Sequence, residues 1–232
     1  MPNLISIITG FILTFNVQGA IIPHHDLVHD KIDLTYKILS VTNDYEKVII
    51  LSPDHFEHGQ GYISSNNYEK EHGITIHIPY LKKYFPEADI EQFMFAREIP
   101  KKTLDNFIEQ INRRNLSKTL IIASLDFSHY DNENNALITD GEIIKYLNTS
   151  HKKINYSEIK RLAKGINPDL SYETSIDSPE VFYVFTRLMN DYNFYFLDRT
   201  SAFQLNPNLQ DRNNTSHIYG AFGNLKLHLQ PF

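Results

Sequence analysis

Hydrophobic positions along the chain fall into two rhythms. Three short runs are apolar at nearly every position and rich in β-branched residues: "VQGAIIP" (Val17 to Pro23), "KVIILSP" (Lys47 to Pro53) and "KTLIIAS" (Lys118 to Ser124). A strand covered on both faces needs apolar side chains on both, and each run halts at Pro or Ser, so these read as interior strands. "EQFMFA" (Glu91 to Ala96) and "NFYFLD" (Asn193 to Asp198) are weaker strand candidates, and "HIYGAFGNLKLHL" (His217 to Leu229) is expected to return to the sheet. The second rhythm is amphipathic and predicts helices over Leu27 to Val41, Lys102 to Arg114, Thr139 to Thr149 and Pro179 to Tyr192. Ser178 serves the last as N-cap, with Pro179 at its first helical position. Strands alternating with helices predict an α/β fold. With no repeat and no clear linker, residues 1–232 read as a single domain, and the Asn-rich "YDNENNA" and "NPNLQDRNN" read as surface loops.

Composition narrows the partners. At 232 residues and 41% hydrophobic content the chain can bury a substantial core. A formal net charge of -6 provides no basic field to neutralise phosphates, so nucleic acid is not an expected partner. The absence of cysteine excludes disulfides, thiolate metal sites and cysteine nucleophiles. "LISIITGFILTF" (Leu4 to Phe15) has the length of a signal-peptide core, yet no Lys or Arg precedes Lys31. Asn16 and Gln18 also interrupt it short of a membrane span. It reads as a buried strand, which leaves a cytoplasmic location as the expectation and no membrane partner.

Histidines fall just beyond the predicted strands. His24 and His25 follow the first, His55 the second in "LSPDHF", and His129 the third in "ASLDFSHY". In an open α/β sheet the ligand crevice lies past the carboxyl ends of the strands, so separate loops would send imidazoles to one place. A single histidine there can simply cap a loop; several together suggest a metal, imidazole being the commonest transition-metal ligand.

"IIPHH", "SPDHF", "EHGITIHIPYLKKYFP" and "ASLDFSHY", in that order, resemble the Memo family, also called AmmeMemoRadiSam system protein B in bacteria and archaea. The resemblance runs from about Val17 to Gly223. It implies an α/β domain with a central mixed sheet flanked by helices, related to class III extradiol dioxygenases, which open catechol rings with Fe(II) held by two histidines and a carboxylate. It places metal ligands at His24 and His55, an acid/base at His129 with Asp126 beside it, and the paired histidines of the family at His72 and His77, of which His72 is expected to line the pocket.

The third ligand departs from the pattern. Many relatives carry a cysteine four residues before the proline that opens a helix; here that proline is Pro179 and the position holds Ser175. A neutral hydroxyl is a poor ligand for a borderline metal. Asp177, Glu173 and His25 are the open alternatives, and Asp177 could equally serve the helix N-terminus electrostatically. His29 and His58 are candidates for outer partners of ligands, while His151, His217 and His228 read as incidental. The implied cofactor is a divalent metal, Fe(II) ahead of Zn or Cu, and the chemistry is that of a non-haem oxidoreductase. A scaffold that binds a small molecule or peptide without turnover, and a zinc hydrolase, are the alternatives.

Overall fold

The computed structural model describes residues 6–8, 11–149, 151–153, 155–165, 175–208 and 214–229. In chain order the elements are β1 (Ser6–Ile8), β2 (Phe11–Ile22), α1 (His29–Leu39), β3 (Lys47–Pro53), β4 (Ile63–Ser64), α2 (His72–Thr75), α3 (Ile78–Tyr84) and β5 (Asp89–Phe95). They continue with α4 (Lys101–Asn112), β6 (Thr119–Ser124), α5 (Glu133–Thr149), α6 (Tyr156–Lys164), α7 (Pro179–Leu188), β7 (Asn193–Ser201), α8 (Ala202–Leu205) and β8 (Ser216–Leu229).

The strands form one mixed sheet in the order β4-β5-β3-β6-β2-β8-β7, with β1 paired to β2. The inner strands β5, β3, β6 and β2 run parallel, whereas β4 and the pair β8 and β7 add antiparallel edges. Alternate residues of the inner strands feed two cores. Ile21, Ile49, Leu51 and Ile121 pack with Leu104 and Phe107 of α4 and Phe182 and Phe185 of α7. Ala20, Ile22, Val48, Ile50 and Ile122 pack on the other face with Ile32 and Tyr36 of α1 and Leu81 of α3. Burial on both faces is why these strands read as continuous apolar runs, since polar residues would have no wet side to occupy.

α2, α3, α6 and α8 lie outside the four expected helices, and α5 starts early. The helix expected from Thr139 begins at Glu133, so half of the predicted loop "YDNENNA" is helical. Asn132 explains the early start: its Oδ1 accepts from the N–H of Asn135 (3.0 Å) and its carbonyl from Ala136 (2.9 Å), which satisfies first-turn donors. α6 was not anticipated, although Asn155 caps it and Tyr156, Ile159, Leu162 and Ala163 form its buried stripe.

Candidate metal centre

Because β6 lies between β3 and β2, the carboxyl ends of these three strands stand side by side, about 4.8 Å apart from neighbour to neighbour. Ser124, the last residue of β6, is in register with Ile22, the last of β2. The residues just beyond are His55 after β3, Asp126 and His129 after β6, and His24 after β2. A fourth segment joins them through a bridge between Phe127 and Ile176, which brings up Asp177 immediately before α7. The N–H of Asp126 donates to Asp177 Oδ2 (3.2 Å), and the N–H of His24 to Asp126 Oδ1 (3.0 Å).

Among the described residues, His24, His55 and Asp177 form a group whose ligand atoms all lie within 4.8 Å of one another. His24 Nε2 is 3.2 Å from Asp177 Oδ2, and His55 Nε2 is 3.9 Å from the same oxygen. The two imidazoles meet edge to face, 4.9 Å between ring centres. Asp177 Oδ1 is buried without a hydrogen-bond partner, an orphan that a cation would satisfy. Two imidazole nitrogens and a carboxylate oxygen suit Fe(II) or Zn(II), so the residues present fit a divalent metal.

Both rings are held by their far nitrogens. His55 Nδ1 lies 2.6 Å from Glu71 Oε1, and His55 N donates to Glu71 Oε2 (2.9 Å). Burial pushes Glu71 up, but the hydrogen bonds from the His55 ring and from the N–H of Gly73 and His55 hold its carboxyl below the ordinary range. Glu71 is therefore an anion that receives the Nδ1 proton and leaves Nε2 facing the site. His24 Nδ1 is 2.9 Å from Ser124 Oγ, whose own proton goes to the Gly73 carbonyl (2.6 Å). The hydroxyl can then only accept, so Nδ1 must donate and Nε2 again faces Asp177. His77 Nε2 approaches the same hydroxyl (3.0 Å), and burial, followed by the nearby His24, drives His77 down to about 3, so it is a neutral donor. Gly73 makes this packing possible, because a Cβ there would strike Ser52 Oγ.

The field at the centre favours cations. Burial lowers His24, but Asp126 and then Asp177 outweigh it and raise its pKa to about 9. Burial would raise Asp126, yet His24 and other neighbouring histidines bring it down to about 2.

His129 is half-buried and shares the lining of one large cleft with His55 and Asp177. Its neighbours Ser128 (φ 40°) and Tyr130 (φ 58°) both occupy left-handed conformations that cost energy for non-glycine residues. The loop is tied down: Ser128 N donates to the Ser175 carbonyl, Tyr130 N to that of Asn214, and Ser128 Oγ to Asp140 Oδ1.

The other expected residues take varied positions. His72 brings its ring to 6.1 Å from that of His24, with Nε2 3.7 Å from Asp26 Oδ1. Ser175 is buried, its backbone joined to Ala163 and Ser128. Among the described residues His25 is not in the three-residue group, and its Nδ1 accepts from the N–H of Leu27 (3.3 Å). Glu173 and the side chain of His228 lie outside the described residues. His29 bonds to the Tyr80 hydroxyl, and the N–H of His58 caps Asp54, both at the surface. The outer partners are instead Glu71, Ser124 and His77. His217, read as incidental, is fully buried with its ring 4.9 Å from that of His25. Burial drives it down to about 4, so it is neutral. His151 bridges the carbonyls of Leu147 and Tyr192 and is structural.

The family model described as "Memo-like protein" matches residues 62–201. Two curated relatives, MEMO1 family proteins from Methanococcus maripaludis strains C5 and C6, are 30% and 31% identical over 90 residues, 36% of this chain. The matched segment spans about a third of those relatives' length, 31% in each. A crystal structure of an uncharacterized protein from Escherichia coli K12 superposes with a TM-score of 0.46 at 9% identity, covering 87% of this chain and 98% of that one.

Proposed function

As the chain belongs to the Memo-like family, we propose that it is a metal-dependent oxidoreductase related to the extradiol dioxygenases, with His24, His55 and Asp177 as its metal ligands. The observation that carries the reading is the convergence of three ligand atoms from three separate segments within 4.8 Å, one of them on a carboxylate with an orphaned second oxygen. Bound there, Fe(II) would offer open coordination positions to O2 and a vicinal diol, while Zn(II) would acidify a bound water.

The chain's own residues prepare the site for such chemistry. Glu71 and Ser124 fix the His55 and His24 tautomers, so both ligand lone pairs point the same way before any substrate arrives. His129 sits in the cleft on a braced, strained loop, where it can take a proton from a substrate hydroxyl and return it to the product. Asp126 keeps its negative charge beside His24 and fixes the His24 backbone by accepting its N–H.

Anaerobic Fe(II) titration tests the reading. Stoichiometric binding is expected, lost in His24→Ala, His55→Ala and Asp177→Asn. Unchanged binding in all three variants sinks the proposed centre. Oxygen uptake with catechols, abolished in His129→Ala while Fe(II) binding persists, is expected of an oxygenase. Turnover with Zn(II) under anaerobic conditions would instead make the chain a hydrolase, and metal binding with neither activity would make it a binding scaffold.

A further inference from the structure

The cleft differs in electrical character from the chain as a whole. The protein carries a formal net charge of -6. Yet α6 lines the cleft, about 1040 Å³ in volume, with Ser157, Lys160, Arg161 and Lys164. These positions follow i, i+3, i+4, i+7, which is one face of a helix. That face is not free to rotate, because Ile159, Leu162 and Ala163 anchor the opposite stripe in the core. The cationic direction is therefore set by apolar packing. Arg97, in the loop after β5, adds a fourth cation to the lining.

Among the described residues none of these four cations has an ion-pair partner, whereas Lys101, Arg113 and Arg114 on the neighbouring helix and loop all do. Four acids share the cleft: Glu98, exposed beside Arg97 in the chain, and three occupied elsewhere. Asp54 accepts from the N–H of His58 and Gly59, Glu180 accepts from the Tyr156 hydroxyl, and Asp177 faces His24. Lys160 is steered by the Tyr156 ring, 5.3 Å from Nζ to the ring centre. Like charges gathered along one face repel one another unless an anion lies between them.

We infer that the cleft takes a small acid, with a carboxylate or phosphate held by Lys160, Arg161, Lys164 and Arg97 and the other end of the molecule reaching His129. The anion-binding half stands on α6 and Arg97 alone. The statement that this acid is the substrate rests on the metal-centre reading. Volume supports a ligand with two separated ends, because the cleft is at the upper limit of the roughly 300–1,000 Å³ usual for small-molecule sites.

Phenyl phosphate, benzoate and phenol serve as probes, titrated by calorimetry or NMR into the protein and its Lys160→Gln/Arg161→Gln/Lys164→Gln variant, with Fe(II) uptake measured in parallel. Arg161 and Lys164 are exposed and Lys160 half-buried, so the variant is expected to fold, which its circular dichroism checks. The expected result is that at least one acid binds more tightly than phenol, weakens with added salt, and loses about tenfold or more in affinity in the variant, as loss of charge-assisted hydrogen bonds requires. Whichever acid binds more tightly tells phosphate from carboxylate. Equal binding of acids and phenol, or an unchanged affinity in the variant, overturns the inference. Acid binding that the variant weakens, in a protein that takes up no Fe(II), supports this inference and sinks the metal-centre reading; Fe(II) uptake without preference for acids does the reverse.

Discussion

Ser175 and Asp177 are the two candidates for third ligand of the proposed centre. The serine occupies the position where the family resemblance leads one to look for a thiolate, but it is Asp177, two residues on, whose oxygen stands 3.2 Å from His24 Nε2. The two positions make opposite predictions. Asp177→Asn keeps the shape and removes the charge, so Fe(II) affinity measured by competition with a chelator should fall by about a hundredfold or more, as expected when a hard anionic ligand is lost. Ser175→Ala should leave that affinity within about threefold, the scatter expected of a residue outside the ligand shell. A large loss in Ser175→Ala would show that the hydroxyl, and not the carboxylate, completes the centre. Behind the ligands, Glu71→Gln replaces the anion that receives the His55 Nδ1 proton, and Fe(II) affinity should drop about 10- to 100-fold with the ligand set intact. An unchanged affinity would mean that Glu71 only caps α2. The proposed ligands were legible as candidates because His24 and His55 follow strands and Asp177 shortly precedes a helix-opening proline, where position alone gives direction. Glu71, Ser124 and His217 were not, because their roles depend on which atom faces which neighbour across the sheet, and spacing in the chain carries no such information.

At the scale of elements, the His129 loop after β6 is held by a buried ionic cluster that ties β7 to α5. Arg199 on β7 donates from Nε to Asp140 Oδ2 (2.9 Å) and pairs through Nη1 with Glu133 (2.5 Å), and both acids belong to α5. Asp140 in turn accepts from Ser128 Oγ and Ser216 Oγ, so the strained turn beside His129 hangs from the same carboxylate. Arg199→Leu would leave two buried acids without their cation, a change that costs about 3–5 kcal/mol. For a chain of this size that is a fall in Tm of roughly 10 °C, read by calorimetry. The variant that survives should also lose oxygen uptake more than Fe(II) binding, because His129 is released while His24 and His55 stay braced by Ser124 and Glu71. A loss of both in equal measure would mean that the cluster holds the whole sheet and not this loop. Interior strands were the most legible elements, since burial on both faces leaves a continuous apolar signature. The start of α5 and the whole of α6 were harder to read, because their caps, Asn132 and Asn155, sit in polar stretches that look like loop until the hydrogen bonds are known.

For the molecule as a whole, metal uptake at the proposed centre should be coupled to pH through His24. In the metal-free protein its pKa stands at about 9, against an ordinary 6.5, because Asp126 and Asp177 overcome the cost of burial. A folded-state pKa above the unfolded one means that this group stabilises the fold fully below pH 6.5 and that its contribution is lost as pH rises through about 9. Asp126 runs the other way: lowered to about 2 from an ordinary 3.8, it contributes above 3.8 and its contribution is lost as pH falls through about 2. His77 and His217, held neutral by burial with pKa values down to about 3 and about 4, cost stability as pH falls below 6.5, so the metal-free fold should be firmest near pH 6.5. A metal needs His24 neutral at Nε2, so uptake below about pH 9 must expel a proton, and the apparent affinity should climb about tenfold per pH unit until that value is passed. Two effects then act together, since alkaline conditions weaken the metal-free fold and strengthen the metal complex. The rise in Tm produced by a fixed excess of Zn(II) should be several degrees larger at about pH 8 than at about pH 6. Calorimetry in two buffers of different ionisation enthalpy should count about one proton released per metal at neutral pH. An affinity that stays flat across that range, with no proton released, would remove His24 from the coordination sphere and leave its contact with Asp177 as an ordinary buried ion pair.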